Sequence, residues 1–197
     1  MTSNEQSAGV SRRTVTKAMA WAVPAIAVAV PVAAHAASVC SPSTNFQGLQ
    51  VGSRPSEVLF YDVNGDLTGV KASLGFSSTP GNTGKVAQTT GSGAWKYIEL
   101  QITNVRNGQY IDFTLTFNQP VTGLSFMVHD IDRVQNQWVD QVEILTSGYT
   151  YVPGSHITGN GSSASPFTSD VWGDLPIESG QGSVRITYPG EVQTVEL

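Results

Sequence analysis

From residue 37 to Leu197 the chain shows almost no helical periodicity, and this restricts its fold more than any other feature. Short runs of Val, Ile, Thr, Phe and Tyr recur instead, separated by clusters of Gly, Ser, Asn and Pro. The clearest is "IDFTLTFN". Ile111, Phe113, Leu115 and Phe117 alternate there with Asp112, Thr114 and Thr116, as in a strand with one face on a core and one in water. Strands are expected over 57–63, 66–76, 95–103, 110–118, 121–132, 138–146, 183–188 and 191–197. Asn64 and Gly65 tolerate the positive φ angles of a tight hairpin turn. Pro120 falls in a break between strands, because proline cannot donate to a ladder. Many strands without intervening helices predict an all-β fold, an antiparallel β-sandwich of the Ig-like or jelly-roll kind. The closing "GEVQTVEL" reads as a strand that stops without a turn, which leaves open that further C-terminal strands belong to the sandwich.

The first 36 residues read as an export leader. "SRRTVTK" places Arg12 and Arg13 ahead of an uncharged run of 17 residues, 18–34, and "AHA" at 34–36 is a small-x-small cleavage signal. The paired arginines resemble the twin-arginine signal, with Val15 where that motif usually carries Phe. The run is broken by Pro24 and Pro31 and is shorter than the roughly 20 residues of a membrane span, so the mature chain is expected to lack one. A single domain, 37–197, is left. Taking Arg12, Arg13, Lys17 and Glu5 from the chain's 10 basic and 15 acidic residues leaves 7 and 14, a net charge of −7. No basic cluster exists to contact phosphates, which argues against nucleic acid, and an acidic surface attracts cations. Cys40 is the only cysteine, so no disulfide can form within this sequence.

The most specific chemistry lies in "SFMVHDIDRVQNQWVDQVEIL". Alternation puts Asp130 and Asp132 on the parity of Leu124, Phe126 and Val128, and Asp140 on that of Trp138, Val142 and Ile144. A hairpin closed by residues 133–137 would set Asp132 opposite Trp138 and Asp130 opposite Asp140. Opposed carboxylates are costly unless a proton or cation lies between them. Calcium, which takes six to eight oxygens, suits Asp130, Asp132 and Asp140, with Gln135, Asn136 and Gln137 as further oxygen donors. The competing reading is that these aspartates cap turns, with Arg133 neutralising one of them. "DVNGDLTG" begins like a calcium loop but has Leu67 and Ser73 where that loop needs glycine and glutamate.

No catalytic residue is assigned. There is no G-x-S-x-G, His129 points away from Asp130 by parity, and His156 is a lone loop histidine. A glycosidase built on Glu99 and Glu143 stays open as an alternative, as does a purely structural surface domain. Trp95, Trp138, Trp172, Tyr149 and Tyr151 lie at expected strand ends or beside loops, where flat rings can stack on sugars, and the loop 154–166 supplies polar contacts.

"FTLTFNQPVTGLSFMVHDID" followed by "WVDQVEI" resembles a block found in twin-arginine-exported surface and secreted proteins of high-GC Gram-positive bacteria. The leader "SRRTVTKAMAWAVP" is similar to leaders of that group. The resemblance implies a secreted or cell-surface location and a β-rich fold, and it carries no activity. The expectation is therefore an extracytoplasmic binding or adhesion module, calcium-stabilised, whose partner is a cell-surface glycan or protein.

Overall fold

The computed structural model describes residues 43–44, 46–78, 82–89, 94, 96–101 and 109–197. The export leader, Cys40 and Trp95 lie outside the described residues. Twelve strands are seen among those described: β1 (Ser43–Thr44), β2 (Glu57–Tyr61), β3 (Leu67–Ser78), β4 (Asn82–Gln88), β5 (Lys96–Gln101), β6 (Ile111–Val128), β7 (Arg133–Val134), β8 (Trp138–Val139), β9 (Thr150–Pro153), β10 (Ile157–Thr158), β11 (Thr168–Ser169) and β12 (Val184–Glu196). Among the described residues the helical content is two short 3₁₀ turns, Phe46–Gly48 and Ile177–Ser179. The all-β antiparallel class expected from the sequence is the one observed. Among the described strands, six form one sheet in the order β1-β2-β3-β6-β12-β9, and the others pair as two-stranded ribbons, β4-β5, β7-β8 and β10-β11. No described helix is long and apolar enough to cross a membrane.

The centre of the sheet is β6, flanked by β3 and β12. Alternation along β6 and β12 turns Leu115, Leu124, Phe126, Val128, Val184, Ile186, Tyr188, Val192 and Val195 to one side, where Ile144, Ile157 and Phe167 pack against them. A second cluster, Val58, Phe60, Ala72 and Phe117, lies under β2 and β3. Two register shifts keep the β12 pattern in phase with its partner. Val192 opposes Val121 while Thr194 opposes Thr116, so residues 117–120 bulge out of the ladder. Asn118 holds that bulge to β3, accepting from the Lys71 N–H at 3.0 Å and donating to the Gly69 carbonyl at 3.1 Å. Pro120 is tolerated because the bulge asks no ladder bond of it.

The β2-β3 hairpin closes through residues 62–66, a longer loop than the two-residue turn expected. Asp62 shapes it by accepting from the N–H groups of Asn64 (2.8 Å) and Asp66 (2.9 Å). The Asp66 bond in particular holds the Asp62 pKa below its usual value. Gly65 supplies the positive φ of 87°. Loop 154–166 is packed rather than loose: at Gly161, a Cβ would lie 2.5 Å from the Phe167 ring.

The expected hairpin between 124–132 and 138–146 forms only at its closing end, as the short β7-β8 ribbon in a shifted register. Leu124 to Val128 pair instead with Val184 to Tyr188. The chain leaves β6 at Asp130, which takes a left-handed backbone with φ 64°. Only Trp138–Val139 of the second expected strand lies in a ladder, and the chain beyond it runs under the sheet to bury Ile144.

Candidate cation site

The acidic residues are positioned by a small ladder at the end of β6. Arg133 pairs with Val139 and Val134 with Trp138. The Asp140 N–H donates to the Asp132 carbonyl at 2.9 Å, which continues the ladder by one residue. The register is therefore two residues from the expected one. Asp132, not Asp130, lies across from Asp140. Gln135, Asn136 and Gln137 form the tip, at the far end of the ribbon from this acidic pair. A third segment joins on the other side of β7, where the Gly173 N–H donates to the Arg133 carbonyl at 2.9 Å.

That third segment brings in Asp174. One carboxylate oxygen from each of Asp130, Asp132 and Asp174 lies within 4.8 Å of the others. Oxygens bound to one calcium ion at about 2.4 Å can be no more than about 5 Å apart, so this separation fits a shared ion. Asp130 and Asp174 are exposed, and Asp132 is only 4% exposed. Asp132 is held on both oxygens. The Trp138 indole N–H donates to Oδ1 at 2.8 Å, and the Leu175 backbone N–H donates to Oδ2 at 3.2 Å. Asp140 meets the cluster through the backbone, its Oδ2 accepting from the Asp132 N–H at 3.4 Å.

The electrostatics follow from burial and like charge. Loss of hydration, then the charges of Asp132 and Asp130, push the Asp140 carboxyl up to about 6 despite the bond to the Asp132 backbone. Asp130 is raised as well, first by partial loss of hydration and then by Asp132, Asp174, Glu178 and Glu99. Two unit charges about 4.8 Å apart repel by about 3 kcal/mol at an effective dielectric near 20. The arrangement can accept a hard divalent cation, or protons in its place.

Of the residues singled out from sequence, Asp130 and Asp132 are brought together, Asp140 lies beside them, and Asp174 was missed. Nothing local distinguishes "WGDL" from any other loop, because only the strand contact at Gly173 carries Asp174 to the site. Arg133 neutralises none of the acids through a direct ion pair. It donates to the carbonyls of Asp170 (2.6 Å) and Val171 (3.2 Å) and stacks over Trp172 at 4.3 Å. The aromatics divide into two groups. Trp138 and Trp172 flank the ribbon, 37% and 56% exposed. Tyr149 and Tyr151 lean on the core instead. Tyr149 is 6.1 Å from the Tyr188 ring and donates to the Asn160 carbonyl, and Tyr151 is 5.0 Å from Phe167. Glu99 lies on β5, near enough to Asp130 to act on it, and Glu143 lies between the core-facing Val142 and Ile144. His129 shares a 2.8 Å hydrogen bond with the buried Ser183, and His156 meets Asp170 at 3.1 Å. Comparison of the chain with protein-family models, curated proteins and solved structures finds no match in any of the three.

Proposed function

We propose that the chain is an exported binding or adhesion module whose acidic end holds a calcium ion through Asp130, Asp132 and Asp174. The observation that carries this reading is the convergence of three carboxylates from two separate loops within 4.8 Å. Such a cluster is destabilised by its own repulsion and relieved by a divalent ion. Support for export comes from the paired arginines, the uncharged run and the small-residue signal of the leader. Support for binding rather than catalysis comes from the exposed aromatics beside the ribbon.

The test is thermal melting of the full chain in EDTA and then in millimolar calcium. A ligand of the folded state at a hundred times its dissociation constant adds about 2.7 kcal/mol. The expected outcome is a midpoint several degrees higher in calcium, with the rise abolished by Asp174→Asn. An equal midpoint in both buffers rejects the cation site.

A further inference from the structure

Asn-Gly pairs occur three times after the leader, at 64–65, 107–108 and 160–161, and the second lies outside the described residues. The other two sit in opposite surroundings. Asn64 and Gly65 are both exposed, at the tip of the β2-β3 loop. A Cβ on Gly65 would meet nothing within 4 Å, and the loop borders an open hollow of about 640 Å³ beside Thr44 and Tyr61. Asp62 alone supplies the bonds that hold the pair. Its carboxylate accepts from the Asn64 N–H at 2.8 Å and from the Asn64 amide Nδ2 at 3.2 Å. Its carbonyl accepts from the Gly65 N–H at 3.1 Å. Gly161, by contrast, is buried against the Phe167 ring. Its N–H donates to the Ser165 carbonyl at 3.0 Å, and its carbonyl accepts from the Ile144 N–H at 2.7 Å. The Asn160 Oδ1 accepts from both the N–H and the hydroxyl of Ser162, at 3.0 and 2.7 Å. To react, a glycine nitrogen must swing toward the preceding asparagine side chain. At Asn64 only turn bonds in water resist that movement, and such bonds open at far lower free energy than those in a packed core.

We infer that Asn64 is a site of spontaneous deamidation, and that Asp62 sets its rate by holding the turn closed. The Gly65 nitrogen gives its proton to water and forms a bond to Asn64 Cγ. The Cγ–Nδ2 bond breaks, and Nδ2 leaves as ammonia with a proton returned from water. A five-membered cyclic imide remains. Water then adds to one of the two imide carbonyl carbons, and the bond from that carbon to the Gly65 nitrogen breaks. Addition at Cγ gives aspartate, and addition at the backbone carbonyl gives isoaspartate. Either way one water is consumed and one ammonia released, with no change of oxidation state. The product has lost the Nδ2 donor and sets a new carboxylate against that of Asp62. Isoaspartate also adds one carbon to the main chain, which displaces the N–H groups of positions 64 and 66 that converge on Asp62 Oδ1. The hairpin is thereby loosened at its tip. This site is independent of the acidic cluster at the end of β6.

The test incubates the full chain at neutral pH in heavy-oxygen water, native and in urea, and follows each Asn-Gly peptide by mass spectrometry. In the native chain the Asn64 peptide should take up one heavy oxygen about tenfold or more faster than the Asn160 peptide, and the two rates should converge in urea. Isoaspartate should form part of the product. Asp62→Ala should speed conversion at Asn64 severalfold and leave Asn160 unchanged. The comparison of native and unfolded parent chain needs no variant, so it decides the site even if Asp62→Ala fails to fold. An Asn64 peptide that stays intact in the native chain, or reacts no faster there than Asn160, overturns the site. A rate at Asn64 that is unchanged or lowered in a folded Asp62→Ala overturns the role of Asp62.

Discussion

Asp132 ties the acidic end to the rest of the fold. Its carboxylate is almost wholly buried, and it is accommodated because Trp138 and Leu175 each give it a donor. The Trp138 ring, read from sequence as a sugar platform, is held by this bond. Trp138→Phe keeps the apolar ring and removes the donor. A hydrogen bond to a charged group is worth about 1.5–3 kcal/mol, so a loss of about 2 kcal/mol is expected in urea unfolding. Val139→Ala next to it, at a half-exposed position, should change stability by about 0.5 kcal/mol or less. Equal effects of the two substitutions would show that the bond contributes nothing. The residue types at this end were legible from sequence, since carboxylates and tryptophans announce themselves. Which carboxylate oxygen meets which donor was not, because Leu175 lies 43 residues from Asp132.

At the scale of elements, β6 and β12 were legible from their alternation, and their pairing was not. A local hairpin closes a short loop and so looks favourable from sequence. Pairing β6 with β12 buries the apolar faces of two long strands against one core, which a ribbon ending in three aspartates could not do. The edge strand β9 shows another device invisible in the sequence. The Gly154 N–H donates to the Ser183 carbonyl, so alternation points the N–H groups of Val152 and Thr150 at β12 and leaves positions 151 and 153 facing outward. Position 153 is proline, which removes one of the two outward donors and blunts the edge against a second chain. Pro153→Val restores that donor on an exposed strand. Concentration-dependent self-association is expected by sedimentation velocity, with little change in melting midpoint. A variant that stays as monodisperse as the parent would show that the edge is protected by other means.

For the molecule as a whole, the acidic end sets how stability depends on pH. The folded Asp140 holds its proton up to about pH 6, well above an ordinary aspartate near 3.9, and Asp130 shifts in the same direction. Between those values the native state binds more protons than the unfolded chain, so stability contributed by these groups falls as pH rises from about 4 to about 6 and then levels. Asp62 has the opposite sign, and its effect is confined to the acid side of its ordinary pKa. In EDTA the melting midpoint should therefore drop between pH 4.5 and 6.5, and Asp140→Asn should flatten the drop. Calcium should reverse it, since the ion replaces the protons that the cluster otherwise keeps. A profile unchanged by Asp140→Asn would place the dependence elsewhere.

The sequence by itself determined the class of fold, because period-two alternation and turn residues act over a few positions and need no partner to be read. It also determined that the segment around Asp130 and Asp132 would carry acidic chemistry. Only the tertiary structure decided that Asp174 joins them, that the ribbon register slips by two, and that Arg133 seats Trp172 instead of neutralising an aspartate. Those outcomes depend on contacts between segments far apart in the chain. Their cost in loop closure is recovered by burial around β6 and β12, and no local pattern records that exchange.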